Sequence, residues 1–218
     1  MELLQSSGPM AIQDGPREIP FLFVGNHPCL DFINTKPVID GQPEELLGTF
    51  SDLVAWFRQA QLLPQEESHK KLDRQWAGEA KAQQILEEAR GFRGTLLEMV
   101  ERIAAGRPVP ERAVEAINEL LRYGLGHPQL VRRKDKFSRD FVMKSEDGRQ
   151  FLGLLAEAAG DLLCKCDSSL IKKCQNPACV LFFYDTTKNH ARHWCSMSLC
   201  GNRSKVAAHY HRHRTKKR

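Results

Sequence analysis

Between residues 174 and 200 the chain reads CQNPACVLFFYDTTKNHARHWCSMSLC, with Cys174 and Cys179 at one end and Cys195 and Cys200 at the other. The pattern is C-x4-C, fifteen residues, then C-x4-C. A structural zinc ion takes four soft or borderline ligands in a closed tetrahedron, and two close thiol pairs brought together by a fold-back satisfy it. Asn176-Pro177 supplies turn chemistry inside the first pair. Val180 to Tyr184 reads as a strand that returns as a hairpin through the polar loop Asp185 to Asn189. The competing reading is four buried free thiols, which paired spacing argues against. The segment is also too short for a core of its own, so a metal would provide the missing folding energy. Cys174, Cys179, Cys195 and Cys200 are therefore the expected ligands of a structural Zn2+.

Other groups near this segment leave the ligand set open at its margin. Cys164 and Cys166, which could replace a ligand or make a second site with a histidine, are read as the end of the preceding helix, and His190 and His193 are surplus to a complete four-thiolate shell. A catalytic zinc keeps one position open for water and needs a carboxylate base nearby. Only Asp185 is at hand, so turnover at this metal is not expected.

Working outward, the 218-residue chain has seven cysteines, six of them between Cys164 and Cys200. Clustering of this kind points to metal in a reducing compartment rather than a disulfide framework. No run approaches the roughly 20 apolar residues of a membrane span, and Met1 to Gly15 lacks the basic start and apolar core of a secretory leader. The expectation is a cytoplasmic protein without a membrane partner. The net charge of +5 conceals a division. From Lys172 onward eleven Lys and Arg face one acid, a local +10, which leaves −5 over the first 171 residues. A mildly acidic body with a basic end suggests a polyanion-binding appendage; a solvated tail that aids solubility is the bland alternative. Asn202 to Arg214 is predicted to form a helix with Val206 and Tyr210 on one face. Arg203, Lys205, His209, Arg212 and Arg214 cover its other faces and are the candidate contacts to double-stranded DNA, Arg to guanine edges and Lys to phosphates.

Ahead of the cysteines the texture is helical. Phe21 to Val24 reads as a strand or an extended lead-in, followed by Leu30 to Thr35 and a turn-rich passage at Pro37, Gly41 and Pro43. Ser51 is the expected N-cap of a helix ended near Pro64. From Glu66 to Ala105 apolar residues recur every three or four positions, among them Leu72, Trp76, Leu86, Phe92, Leu96 and Met99, with Gly91 and Gly94 as places to bend. Pro110 opens the next helix, with Ala113, Val114, Ile117, Leu120 and Leu121 inward. Leu130–Arg133 and Phe137–Val142 read as strands around a Lys134-Asp135 turn, and a last helix covers 147–164. The predicted fold class is mainly α with a small β-sheet (α+β). Residues 1–18 form a flexible tail, 19–168 a helical domain, and 169–218 a small zinc-binding finger with a terminal basic helix.

Trp194-Cys195-Ser196 together with Cys200-Gly201-Asn202-Arg203 resembles the CGNR zinc-finger family, named for the last four of these residues. Leu30-Asp31-Phe32-Ile33-Asn34-Thr35 resembles the LDFxNT signature of the ABATE domain, which precedes such a finger in bacterial proteins. Phe92-Arg93 and Ile117-Asn118 resemble that domain's Leu-Arg and Leu-Asn pairs, with Phe and Ile in place of Leu. The resemblance spans nearly the whole chain. It implies a bacterial, stress-induced transcription regulator with a sensor-like N-terminal domain and a DNA-binding finger.

Asp31, Asn34, Thr35, Arg93 and Asn118 are polar residues that interrupt apolar segments and match those motifs. If they converge, they make a pocket for a small polar or anionic ligand, with Arg93 as charge partner and Asn118 as orienting amide. The alternative is a buried network that pins the Asp31 segment to two helices, with Asp31 and Arg93 paired. His27 and Cys29 make a weak catalytic pair, and no Ser-His-Asp set, phosphate loop or carboxylate pair stands out. The chain is expected to be no enzyme. Its expected function is DNA-binding transcription regulation, with the body binding a small ligand or forming a homodimer. The alternatives are a protein- or RNA-binding zinc adaptor, and an enzyme working from the body pocket.

Overall fold

A computed structural model of the protein describes residues 21–63, 79–123, 127–133, 136–142 and 149–206. Within them lie a helical body, three two-stranded antiparallel sheets and a compact cysteine-bearing end, the α+β class that the sequence predicts. The expected tail at 1–18, the helical stretch from Glu66 to Gly78 with Leu72 and Trp76, and the Lys134-Asp135 turn lie outside the described residues.

Helix α1 (Pro28–Ile33) sits at the middle of the body. Proline at its first position pre-sets the backbone, and the His27 ring accepts a hydrogen bond from the Cys29 N–H at 3.3 Å. Cys29, Leu30, Phe32 and Ile33 are all buried, so the helix is enclosed on every side rather than striped. A short antiparallel pair follows, β1 (Val38–Ile39) with β2 (Gln42–Pro43). Helix α2 (Phe50–Gln59) is N-capped by Thr49 in a reciprocal capping box with Asp52, not by Ser51, which lies in its first turn. It ends at Gln59, before Pro64 is reached, where Gln61 takes a left-handed conformation.

Helix α3 (Glu79–Ala104) passes straight through Gly91 and Gly94, and its buried stripe of Ile85, Leu86, Ala89, Phe92, Leu96, Met99 and Val100 faces the body core. Gly106 reverses the chain at φ +66°. Helix α4 (Glu111–Leu121) buries Ala113 and Ile117, while Leu121, expected inside, is exposed at its end. The hairpin β3 (His127–Arg133) and β4 (Lys136–Val142) pairs in full register, from His127 with Val142 to Arg133 with Lys136. Helix α5 (Arg149–Lys165) then packs on α4 and α1. Its Arg149 reaches Glu88 on α3 at 3.1 Å and the Tyr123 hydroxyl at 2.6 Å.

A 3-10 turn at Ser168–Leu170 leads into β5 (Ile171–Lys173), which pairs antiparallel with β6 (Phe182–Tyr184). The expected hairpin through Asp185 to Asn189 is thus replaced by one that precedes it: the partner of β6 lies upstream of the first cysteine pair. The two faces of β6 serve different cores. Phe182 and Tyr184 join the body, whereas Leu181 and Phe183 join the cysteine cluster, as the two-residue period of an extended chain requires. The lead-in at 21–24 alternates in the same way without forming a strand. Phe21 enters the body core and Phe23 stacks on Trp56 at 6.2 Å, while Leu22 and Val24 pack on the cysteine cluster. With Gly25 and Asn26, which bond to the Tyr184 backbone, this lead-in forms a strap, residues 21–26, held between body and finger.

Candidate metal centre

Cys174, Cys179, Cys195 and Cys200 converge so that their sulfurs all lie within 4.8 Å of one another. A tetrahedral zinc with Zn–S bonds of about 2.3 Å has S···S edges of roughly 3.8 Å, and the Cys179–Cys195 separation is 3.8 Å. Cys174, Cys195 and Cys200 are buried and Cys179 is partly so, which suits a closed structural site. Neither Cys164, Cys166 nor His190 or His193 joins this group among the described residues.

Local sequence explains how each pair is bent. The Asn176 side chain accepts from the Ala178 N–H at 3.1 Å, and the Cys179 N–H returns to the Asn176 carbonyl at 2.8 Å, so Asn176-Pro177 makes the turn between the first two ligands. The same Asn176 amide donates to the Cys200 sulfur at 3.3 Å, and the Cys195 N–H donates to the Cys174 sulfur at 3.4 Å. Each bond crosses from one pair to the other and favours thiolate over thiol. The Cys179 thiol is pulled down, chiefly by its contact with Cys195 and, against burial, by the Leu181 N–H; Cys195, its coupled partner, is pushed up. Second-pair geometry comes from Ser196, which caps a single wide turn at Met197–Gly201. A Cβ on Gly201 would meet the Met197 Sδ at 2.6 Å and the Trp194 ring at 3.2 Å, so the residue after Cys200 is small because the turn closes against it.

Two residues outside the expected set hold the loop between the pairs. Asp185 is fully buried, with the Lys172 ammonium at 2.7 Å, the Arg192 N–H at 2.9 Å, and the Thr187 N–H and hydroxyl at 3.0 and 2.6 Å. Burial alone would raise its carboxyl, but these donors hold it well below the usual carboxylate range. Arg192 in turn donates to the carbonyls of Trp194 at 2.9 Å and Val24 at 2.7 Å and to that of Cys195, with its guanidinium 4.2 Å from the Phe183 ring centre. In the sequence Arg192 is one of eleven tail cations; the signal for Asp185 is its isolation among them, since a lone acid in a basic segment must have partners.

The five polar body residues separate. Asp31 accepts from the Gly25 N–H at 2.7 Å, and its carboxyl is pushed up to about 6, chiefly by burial and against the hydrogen bonds of Gly25 and Val24 and the Arg192 charge. Asn34 donates to the Phe182 carbonyl at 2.9 Å and accepts from the Phe182 N–H at 3.0 Å. Thr35 donates to the Phe32 carbonyl at 2.7 Å and receives Arg93 at 2.8 Å. Arg93 pairs with Glu45 through both guanidinium nitrogens, so it is Glu45 and not Asp31 that neutralises it. These four are buried, while Asn118 stands on the exposed side of α4, apart from them. Arg203 and Lys205 are exposed on the helical turn after Gly201. His209, Arg212 and Arg214 lie outside the described residues.

Comparison with known families agrees with this geometry. The family model ABATE, described as "Putative stress-induced transcription regulator", matches residues 26–165, and the zf-CGNR model, "CGNR zinc finger", matches residues 171–213. No curated protein matches the chain. The four-thiolate cluster is a structural zinc site.

Proposed function

The chain belongs to the ABATE family and carries a CGNR finger at residues 171–213, and from that premise we propose that it is a transcription regulator whose finger docks double-stranded DNA. One observation carries the reading: the zinc-anchored turn at Cys200-Gly201 runs directly into exposed Arg203 and Lys205, within a segment of local charge +10. Phosphate neutralisation by these cations would supply affinity, and Arg203, nearest the fixed turn, is the side chain best placed to read a base. The finger is not assigned a reaction, because its one acid, Asp185, is buried and fully engaged by donors. The described helices include none long and apolar enough to cross a membrane, and reduced thiols suit the cytoplasm.

A small polar or anionic ligand in the body is the second part of this reading. It would have to compete with Glu45 for Arg93, since both guanidinium nitrogens are already used. For self-association, the hairpin β3–β4 exposes Leu130 and Phe137 to 68% and 65%.

The deciding experiment is duplex binding by the full chain across a salt series, with zinc present or stripped, beside Arg203→Ala/Lys205→Ala. The reading expects affinity that needs zinc, falls steeply with salt and weakens in the double variant. Zinc-loaded protein that ignores duplex DNA at low salt would overturn it and leave the finger as an adaptor surface for protein or RNA.

A further inference from the structure

The body segment that carries Asp31, Asn34 and Thr35 is adjoined on one side by the zinc module itself. Asn34 spends both ends of its amide on the backbone of one finger residue, Phe182, across 148 positions of sequence. Such a two-point match is how an extra strand residue would pair, and it fixes β6 both in distance and in rotation. The bond is buried, so losing it leaves a carbonyl and an N–H without water to replace their partner. Beside it, Asp31 closes the strap by holding Gly25, whose carbonyl accepts from the Tyr184 N–H at 2.8 Å. Asn26, at φ +56°, donates to the Tyr184 carbonyl and the Thr186 hydroxyl, both at 3.1 Å. Arg192 completes the circuit, joining the Val24 carbonyl to the carbonyl of the ligand Cys195.

We propose that the Asp31–Asn34 face of the body is the docking cradle of the zinc module, and that Asn34 is a positioning residue for zinc retention although it touches no sulfur. Two observations join in this assignment. Asn34 grips the Phe182 backbone directly and Asp31 reaches Tyr184 only through Gly25, and the β6 strand so held alternates side chains between the body core and the cysteine cluster. A β6 released from Asn34 cannot keep Phe183 and Leu181 against the cysteines while Phe182 stays in the body. Metal occupancy and closure of the body around the finger are then one coupled equilibrium, because whatever binds the closed form alone stabilises it. The inference rests on the four-thiolate zinc site and is independent of DNA binding.

The test uses the full chain and the rate of zinc transfer to a chromogenic chelator. Wild-type protein should first yield one zinc per chain; a failure there sinks the metal site and not the cradle. With that established, Asn34→Ala should release zinc about tenfold faster, a loss typical of mutating a residue outside a metal's own ligand shell. Asn118→Ala, on the exposed side of α4 and away from the cradle, should release at close to the wild-type rate. Folded Asn34→Ala that keeps zinc as wild type does, or Asn118→Ala that loses it as fast, would overturn the proposal. Hydrogen exchange on the wild-type chain carries the same test should Asn34→Ala not fold. Stripping zinc should expose the amides of residues 21–35 while α4 stays protected, and unchanged protection at 21–35 refutes the cradle.

Discussion

Arg93 on α3 forks onto Glu45 rather than Asp31, and its remaining reach goes to the Thr35 hydroxyl at 2.8 Å. The pair ties the turn after β2 to the middle of the long helix, with Arg93 buried and Glu45 partly exposed. Truncating Arg93 to Ala strands a half-buried carboxylate and a buried hydroxyl, at a cost of about 2–3 kcal/mol once the exposure of Glu45 is allowed for. Asn118→Ala, on an exposed helix face, should change stability by less than about 0.5 kcal/mol. Urea denaturation of the two variants compares them directly, and equal losses would contradict the separation of Asn118 from the buried set.

Glycines at Gly25 and Gly91 should respond in opposite senses. A Cβ at Gly25 would stand 2.8 Å from the Leu30 Cβ and 2.9 Å from the Asp31 backbone nitrogen, so the strap would have to move. Gly25→Ala should cost about 2 kcal/mol by overpacking. At Gly91 the Cβ meets open space in mid-helix, and alanine there should gain roughly 0.5–1 kcal/mol. Thermal midpoints that move the same way for both would refute the close approach at Gly25.

Lys172 is the cation that balances buried Asp185. Lys172→Met should destabilise the finger by about 2 kcal/mol, since it leaves a buried carboxylate with uncharged donors only. Pairing it with Asp185→Asn should recover part of that loss, because the double variant buries no net charge. A double-mutant cycle measured by zinc-loaded unfolding reads the coupling; strict additivity would deny the pair.

Asp31 gives the chain a pH signature. Its folded carboxyl sits near 6 against an ordinary 3.8, so between those values the folded state keeps a proton that the unfolded chain has released. The folded form binds more protons in that window, and the contribution of Asp31 to stability therefore falls as pH rises from about 3.8 to about 6. Asp31→Asn cannot titrate. The advantage of wild type over it should shrink between pH 4 and pH 7, read from urea midpoints at each pH; a widening advantage would mean that the folded carboxyl is depressed instead.

How far these features could be read beforehand depends on whether they are local. Ligand spacing is local, and Cys174 to Cys200 announces the metal site because zinc needs those sulfurs and the turns between them need those residues. The stripe along α3 is legible for the same reason. Helix α1 is not, since a segment buried on all sides has no polar face to betray its period. Thr49 was hidden behind Ser51 because the reciprocal partner here is Asp52, shorter than the usual Glu or Gln. The contact of Asn34 with Phe182 carries no local trace at all: its 148-residue span is visible only in three dimensions. That is why the motif reads equally well as a ligand pocket from sequence.

That span also sets an order of events during synthesis. Residues 22–26 and Asn34 emerge early, yet their partners on β6 are made 148 residues or more later. At roughly 5–20 residues per second the ribosome leaves the cradle uncovered for about 7–30 s. For that interval Leu22 and Val24 have no cysteine cluster to cover them, and the amide of Asn34 is satisfied by water. The nascent chain thus completes this interior only when Cys195 and Cys200 have emerged, which makes metal supply at that point a checkpoint on the folding of residues 22–34, made well before them.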